Sequence, residues 1–250
     1  MPVRQDSFAN EVLRERLRAA RGVFVLTGAG VSAESGVPTF RGGGGTAVWK
    51  GMPFDVISSA GMVRSNLPEV WEWFDYRRGV LEQCRPNPAH AALAVWQERF
   101  ERFTLATQNV DGLHTEAGSR GVLELHGNVW RARCLACGGR EDLRRKPSDV
   151  RPPVCDECEG RMRPDVVLFG EMLPEDVWVE ASDAAASSDV CFVVGTSAIV
   201  YPAAGLPLAA KHAGAFLVEV NPEPTPLSDA CDLTLRGPAG EILPLIEFSR

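Results

Sequence analysis

The chain has 250 residues, 45% of them hydrophobic, and a formal net charge of −7. That size allows one large core with room for a small satellite module, and no apolar run approaches the roughly 18 residues of a membrane span. The acidic balance argues against a protein whose main task is gripping nucleic acid, and an N-terminus mixing Arg4, Arg14 and Arg16 with Asp6, Glu11 and Glu15 reads as neither signal nor transit peptide, so a cytoplasmic location is expected.

Residues Ser7 to Ala20 read as an amphipathic helix, with Phe8, Val12, Leu13, Leu17 and Ala20 on one stripe. It is expected to pack on a sheet edge. Val23-Phe24-Val25-Leu26-Thr27 then reads as a strand buried on both faces. The turn that follows, Gly28-x-Gly30-x-x-Ala33, fits the Gly/Ala form of the dinucleotide fingerprint. In that reading the glycines admit a pyrophosphate close to the backbone, and N–H groups at the start of the next helix hold the phosphates. A plain strand-to-helix turn would read the same way. The acidic ribose partner usual about 20 residues later is absent, because the stretch from Gly42 to Gly51 reads as glycine-rich loop rather than strand. Gly42 to Gly45 suit a lid over a cofactor.

From Pro53 to Cys84 the character is helical, with Trp71, Trp73, Phe74 and Tyr76 as an aromatic cluster that suits a core or the lining of a substrate channel. Asn87-Pro88 supplies a cap and first-turn proline for a helix through Phe100. His90, near its start, reads as packed or solvated. Phe103 to Thr107 is the next strand, and it ends in the polar cluster Gln108-Asn109-Val110-Asp111-Gly112-Leu113-His114. Ligands of open α/β sheets bind outside the carboxyl ends of strands. Val122 to Leu125 forms another short strand, followed by His126-Gly127, which places His126 at a similar strand end and favours a catalytic role for it.

Cys134-x-x-Cys137 and Cys155-x-x-Cys158 are two knuckles at the spacing of a single tetrahedral zinc site. Disulfides are the alternative. A large core, no export signal, and Cys84, Cys191 and Cys231 left over favour zinc. Four thiolates leave no coordination site for water, so the ion would be structural. Between Asn128 and Arg163 nine Arg or Lys face six Asp or Glu, an excess that reads as the solvated face of a small module. Val166 to Glu171 is expected to be a strand returning to the main sheet. A helix from Pro174 to about Ala186, the strand Val190 to Val194 ending in Gly195-Thr196-Ser197, a helix after Pro202, the strand Phe216 to Val220 ending in Asn221-Pro222-Glu223, the strand Leu233 to Leu235 and a last short helix complete the chain. Alternating strands and helices predict an α/β fold with a doubly wound, Rossmann-like parallel sheet. Ser197 and Asn221 become candidates for the ribose contacts.

In order along the chain, these stretches resemble the sirtuins, the NAD-dependent protein-lysine deacylases. Gly28 to Arg41 is similar to the family's cofactor-loop motif, Thr107 to His114 to its second motif, Glu124-Leu125-His126-Gly127 to its catalytic-histidine motif, and the four cysteines to its zinc ribbon. The resemblance implies a Rossmann-like NAD-binding domain (1–41, 81–127 and 166–250), a helical insertion with the cofactor loop (42–80) and a zinc-ribbon module (128–165). It implies NAD held by Gly28, Ala29, Gly30, Ser32, Ala33, Glu34, Pro38, Phe40 and Arg41, by Gln108, Asn109, Val110 and Asp111, and by Gly195, Thr196, Ser197, Asn221, Pro222, Glu223 and Ala239. His126 is implied as general base, one structural Zn2+ at Cys134, Cys137, Cys155 and Cys158, and acylated-lysine proteins as partners. One branch of the family, selective for succinyl and malonyl groups, carries a Tyr-x-x-Arg motif that Phe74 and Arg77 match only in the arginine, so both residues are candidate substrate contacts. Two rival classes compete with this reading. A dehydrogenase leaves the cysteines and His126 without a joint purpose, and a nucleic-acid binder explains the basic module alone.

Overall fold

A computed structural model describes residues 7–38, 48–144 and 151–246. The chain runs through α1 (Ser7–Ala19), β1 (Gly22–Thr27), a 3-10 helix (Ala29–Ser35), β2 (Val48–Trp49), β3 (Met52–Pro53), α2 (Phe54–Ile57), α3 (Ala60–Ser65), α4 (Leu67–Leu81) and α5 (Pro88–Trp96). It continues through β4 (Arg102–Thr107), α6 (Leu113–Glu116), β5 (Leu123–Glu124), β6 (Gly127–Cys134), β7 (Arg140–Asp142) and β8 (Met162–Val166). The last part is α7 (Glu175–Ala186), β9 (Val190–Val194), α8 (Leu206–His212), β10 (Phe216–Val220), β11 (Leu233–Leu235) and α9 (Ala239–Ile242).

Six of these strands form one parallel sheet in the order β11-β10-β9-β1-β4-β5. Strand β1 is buried at every residue because both faces of the sheet are covered. On one face Val23, Val25, Val190, Phe192 and Val218 pack with Leu13 and Leu17 of α1, Leu93 and Trp96 of α5, and Ile242 of α9. On the other, Phe24, Leu26, Cys191, Val193 and Leu217 pack with Ala181 and Ala185 of α7 and with Leu206 and Ala210 of α8. Helix α1 therefore covers a face of the sheet rather than lying along its edge. Its Leu13 and Leu17 supply enough apolar surface to be buried, and Arg16 sits 5.1 Å over the Phe216 ring.

Three further expectations need correction. The segment after β8 does not return to the main sheet. Strand β8 pairs with β6 in a separate three-stranded antiparallel sheet, β7-β6-β8, and Gly170, at φ 84°, turns the chain immediately afterwards. Val166 and Leu168 are apolar because they fill a third core with Trp71 and Phe74 of α4, Val129 and Ala132 of β6, and Met162. A short apolar run announces burial without saying against what. The stretch after the glycine turn also contains strand. Lys50 (φ 48°) and Gly51 (φ 84°) turn the two-residue hairpin of β2 and β3, the left-handed pair a tight hairpin requires. Helix α5 stops at Trp96, short of Phe100.

Part of the basic excess between β6 and β8 braces that sheet and its neighbours. Arg131 and Arg140 reach the buried Asp165 at 3.3 and 3.1 Å, Arg131 also meets Glu124 at 2.6 Å, and Arg163 pairs with Glu171.

Candidate active site

Chain order sets the place of the site. From β1 the chain builds outward through β4 and β5, and with β9 it returns to the other side of β1 and builds outward again. The crevice at the carboxyl ends of β1 and β9 is thus a topological switch point, where such sheets bind ligands.

Here the turns after β1 and β9 touch. Gly28 N–H donates to the Val194 carbonyl at 3.0 Å and Gly30 N–H to the Gly195 carbonyl at 2.7 Å. A Cβ on Gly28 would lie 2.7 Å from the Thr196 Cβ, and one on Gly30 would lie 2.7 Å from the Gly195 oxygen. The fingerprint glycines are therefore demanded by the approach of two protein turns, whatever they do for a ligand. A single 3-10 helix follows, rather than an α-helix, and Gly36 in the left-handed region closes it. On this helix Ser32 is buried, Ala29 half-buried, and Ala33 and Glu34 exposed, with Pro38 exposed beyond it. The Glu34 carboxylate accepts from Gly240 N–H at 2.7 Å, tying the motif to α9, whose Ala239 is buried. Phe40, Arg41 and the loop Gly42 to Gly45 lie outside the described residues.

Strand β4 brings up a network whose proton positions are determined. The N–H of Asn87 donates to His90 Nδ1 at 3.2 Å, so the ring proton sits on Nε2 and points to Ser32 Oγ at 3.3 Å. Asn109 Nδ2 also donates to Ser32 Oγ at 3.1 Å, and the Ser32 hydroxyl in turn donates to Asp111 Oδ2 at 2.8 Å. Leu113 N–H holds Asp111 Oδ1 at 2.9 Å. A second chain starts at His114. Thr27 Oγ1 donates to Thr107 Oγ1 at 2.8 Å, so it accepts from His114 Nε2 at 2.9 Å, and Thr107 Oγ1 accepts the backbone N–H of Asn109 at 3.0 Å. Both chains converge on Asn109. Burial pushes the His90 pKa down to about 4 and that of His114 to about 3. Two neutral imidazoles thus stand behind the site. Burial raises the Asp111 pKa, which the donors Leu113 and Ser32 and the charge of Arg77 oppose. Sequence reading missed Thr27 and Thr107 and left His90 and His114 out of the site. His90 three residues after a capping asparagine carried a signal, since the two form a capping box.

His126 lies between β5 and β6. Its Nδ1 meets the Gln108 carbonyl at 2.9 Å. A carbonyl only accepts, so Nδ1 carries the proton and Nε2 presents its lone pair, which has no hydrogen-bond partner among the described residues. Burial lowers its pKa and the Gln108 bond partly restores it, so the ring is neutral at physiological pH. Gly127, at φ 78°, is obligatory here, because a Cβ would sit 2.1 Å from the Asp165 carbonyl. The close neighbour that glycine admits is β8. Gln108 Nε2 reaches Thr196 Oγ1 at 2.9 Å and Asn221 Nδ2 reaches the Thr196 carbonyl at 2.9 Å, which joins the ends of β4, β9 and β10. Gly195 and Thr196 are buried, Ser197, Asn221 and Val110 half-buried, and Pro222 and Glu223 exposed. The switch-point crevice is thus rimmed by Gln108, Ser197 and Asn221, and this polar rim suits a nucleotide.

On α4, Phe74 is buried in the third core. Arg77 is half-buried, with its guanidinium 5.7 Å from the Trp73 ring. Burial lowers its pKa and the charge of Asp111 raises it, so Arg77 faces the same network. Tyr76 stacks on the same Trp73 ring and packs against Trp49.

At the other end of β6 the four sulfur atoms of Cys134, Cys137, Cys155 and Cys158 lie within 4.8 Å of one another. The N–H groups of Ala136 and Gly139 point at the sulfurs of Cys134 and Cys137 at 3.3 and 3.4 Å, stabilising thiolates. Four soft donors converging on one point fit a single zinc ion whose shell the protein completes.

The profile of the Sir2 family matches residues 28–202. NAD-dependent protein deacylase 2 of Pyrobaculum aerophilum is 47% identical over 228 residues, 91% of this chain and 90% of the relative. A solved Sir2 homologue in complex with NAD superposes with a TM-score of 0.86 at 41% identity, covering 93% of this chain and 90% of that one. A Sir2 structure bound to an acetylated peptide gives a TM-score of 0.82 at 32% identity, covering 94% and 95%. This chain belongs to the Sir2 family.

Proposed function

We propose that this chain is an NAD-dependent protein-lysine deacylase with His126 as its general base. The observation that carries the assignment is the His126 ring, held neutral with Nδ1–H on the Gln108 carbonyl and Nε2 left as an acceptor. NAD, when bound, supplies a ribose carbon open to attack by the acyl oxygen and nicotinamide as leaving group. His126 Nε2 would accept the proton of a ribose hydroxyl of the bound cofactor, the base that transfer of the acyl group to ADP-ribose requires, with water supplying the remaining oxygen as lysine leaves. Ser32, Asn109 and Asp111 surround the nicotinamide end, and the two buried histidine chains keep them from rotating. Gln108 braces the middle of the cofactor against Thr196. The ends of β9 and β10, with Ser197, Asn221, Pro222 and Glu223, hold the adenosine ribose. For Phe40 and Arg41, which lie outside the described residues, the roles that the resemblance implies are shielding of the reacting ribose and contact to phosphate or ribose. The zinc ion takes no part in the chemistry.

Arg77 sets the acyl preference. A charged hydrogen bond to a carboxylate contributes about 1.5–3 kcal/mol, and a lost phenol bond costs about 0.5–1.5. With arginine present and Phe74 in place of the branch tyrosine, succinyl-lysine is accepted less well than by that branch, alongside acetyl-lysine.

Incubation with NAD and an acetylated peptide tests the function. Free nicotinamide and deacylated lysine in equal amounts are expected. Reduced-nicotinamide absorbance would point instead to a dehydrogenase, and neither product to a binding module.

A further inference from the structure

We propose that Glu219 is a positioning residue for the adenosine end of the cofactor. The inference rests on the reading that Asn221, Pro222 and Glu223 hold the adenosine ribose. Glu219 lies in β10 between Val218 and Val220, and is 1% exposed. A carboxylate there is costly unless donors surround it, and the apolar strand around it has no need of one. Its donors come from the loop that follows β10 and from Arg236, just past β11. Thr225 Oγ1 donates to Glu219 Oε1, while Ser228 Oγ and Arg236 Nη1 donate to Oε2, each at 2.6 Å.

Each donor passes the constraint on. Thr225 Oγ1 accepts Leu227 N–H at 3.2 Å, and Ser228 Oγ accepts Thr225 N–H at 2.8 Å and Arg236 Nη2 at 3.0 Å. Arg236 Nη1 also donates to the Glu223 carbonyl at 3.2 Å. Residues 221–232 contain only one short 3-10 turn, Ser228–Ala230, so the buried carboxylate does for this loop what a helix or strand would otherwise do. The backbone of Glu223 is fixed while its side chain stays exposed, and Asn221 is fixed from the other side through Thr196. The loop is thereby ordered before any ligand arrives, which lowers the ordering cost of binding.

Glu219→Gln keeps the size of the side chain but turns an amide donor toward donors. ADP-ribose affinity, measured by titration calorimetry, is expected to fall by about tenfold, the equivalent of one charged hydrogen bond. KM for NAD should rise with kcat preserved, and the inhibition constant of nicotinamide, which occupies the opposite end, should not move. Should Glu219→Gln fail to fold, Arg236→Met releases the Glu223 carbonyl while leaving Thr225 and Ser228 on the carboxylate, and the same selective loss is expected. Unchanged ADP-ribose affinity, or equal weakening of ADP-ribose and nicotinamide, would overturn the inference. Failure of the wild-type protein to bind ADP-ribose at all would instead overturn the proposed function beneath it.

Discussion

The two clusters at the ends of β6 are built on opposite plans. At the cysteine end four sulfurs converge on one point, and nothing is left over for a ligand. At the His126 end the polar atoms lock one another, and one imidazole nitrogen is left as an acceptor. The first plan needs only ligands of the right kind at the right spacing. The second needs a base held in one tautomer, which the Gln108 carbonyl provides for His126, while Ser32, Asp111, Thr27, Thr107 and the two buried histidines fix Asn109, the residue next to Gln108. A metal organises its own ligands, whereas a general base must be organised by its neighbours.

Removing the metal should give the largest effect. Cys134 and Cys155 belong to the same core as Trp71, Phe74 and Met162, so loss of zinc should loosen α4 along with the cysteine sheet. Chelation or Cys155→Ser is expected to remove stability on the zinc-finger scale of about 10 kcal/mol, read as a lower melting temperature with loss of activity. Metal-free protein that is folded and active would refute the structural role. His126→Ala tests the other end of the strand. Acyl transfer should drop by about 10²–10⁴-fold, the usual range for a lost general base, while melting temperature and most NAD affinity persist. Full turnover by this variant would remove His126 from the mechanism.

An acid titration probes the network around Asn109. His90 and His114 are neutral in the fold down to about pH 4 and 3, yet take up protons near 6.5 once unfolded. The unfolded state binds more protons below 6.5, so stability is full above that pH and falls as pH drops, by up to about 1.4 kcal/mol per unit for each histidine. The raised pKa of Asp111 works in the opposite sense at the acid end. Urea unfolding between pH 8 and 5.5 should therefore show a shallower pH slope for His114→Gln than for wild type, zinc being common to both. Parallel curves would mean that His114 is protonated in the folded protein. The smallest effect concerns acyl choice. Arg77→Met should lower succinyl-peptide activity selectively, and Phe74→Tyr should raise it. Equal loss on both substrates would end the carboxylate role of Arg77.

What was legible in the sequence follows from how local each signal is. The buried strands at residues 22–27, 190–194 and 216–220 show as short apolar runs, because a parallel strand is covered on both faces. The cysteine pairs show by spacing alone, because a tight turn brings two ligands to one ion. The alternation of strands and helices is enough to predict a doubly wound sheet. Tertiary structure alone decided where Val166 to Leu168 would be buried, since an apolar run carries no address. It also decided why Gly28, Gly30 and Gly127 must be glycine. The neighbours that exclude a Cβ there are Thr196, Gly195 and Asp165, distant in the chain and adjacent only once the sheets have formed. The convergence of His90, His114, Thr27 and Thr107 on Asn109 has the same origin. Hydrogen bonds spanning up to 87 residues of sequence depend on which strands lie side by side, and that order is a property of the whole packed core.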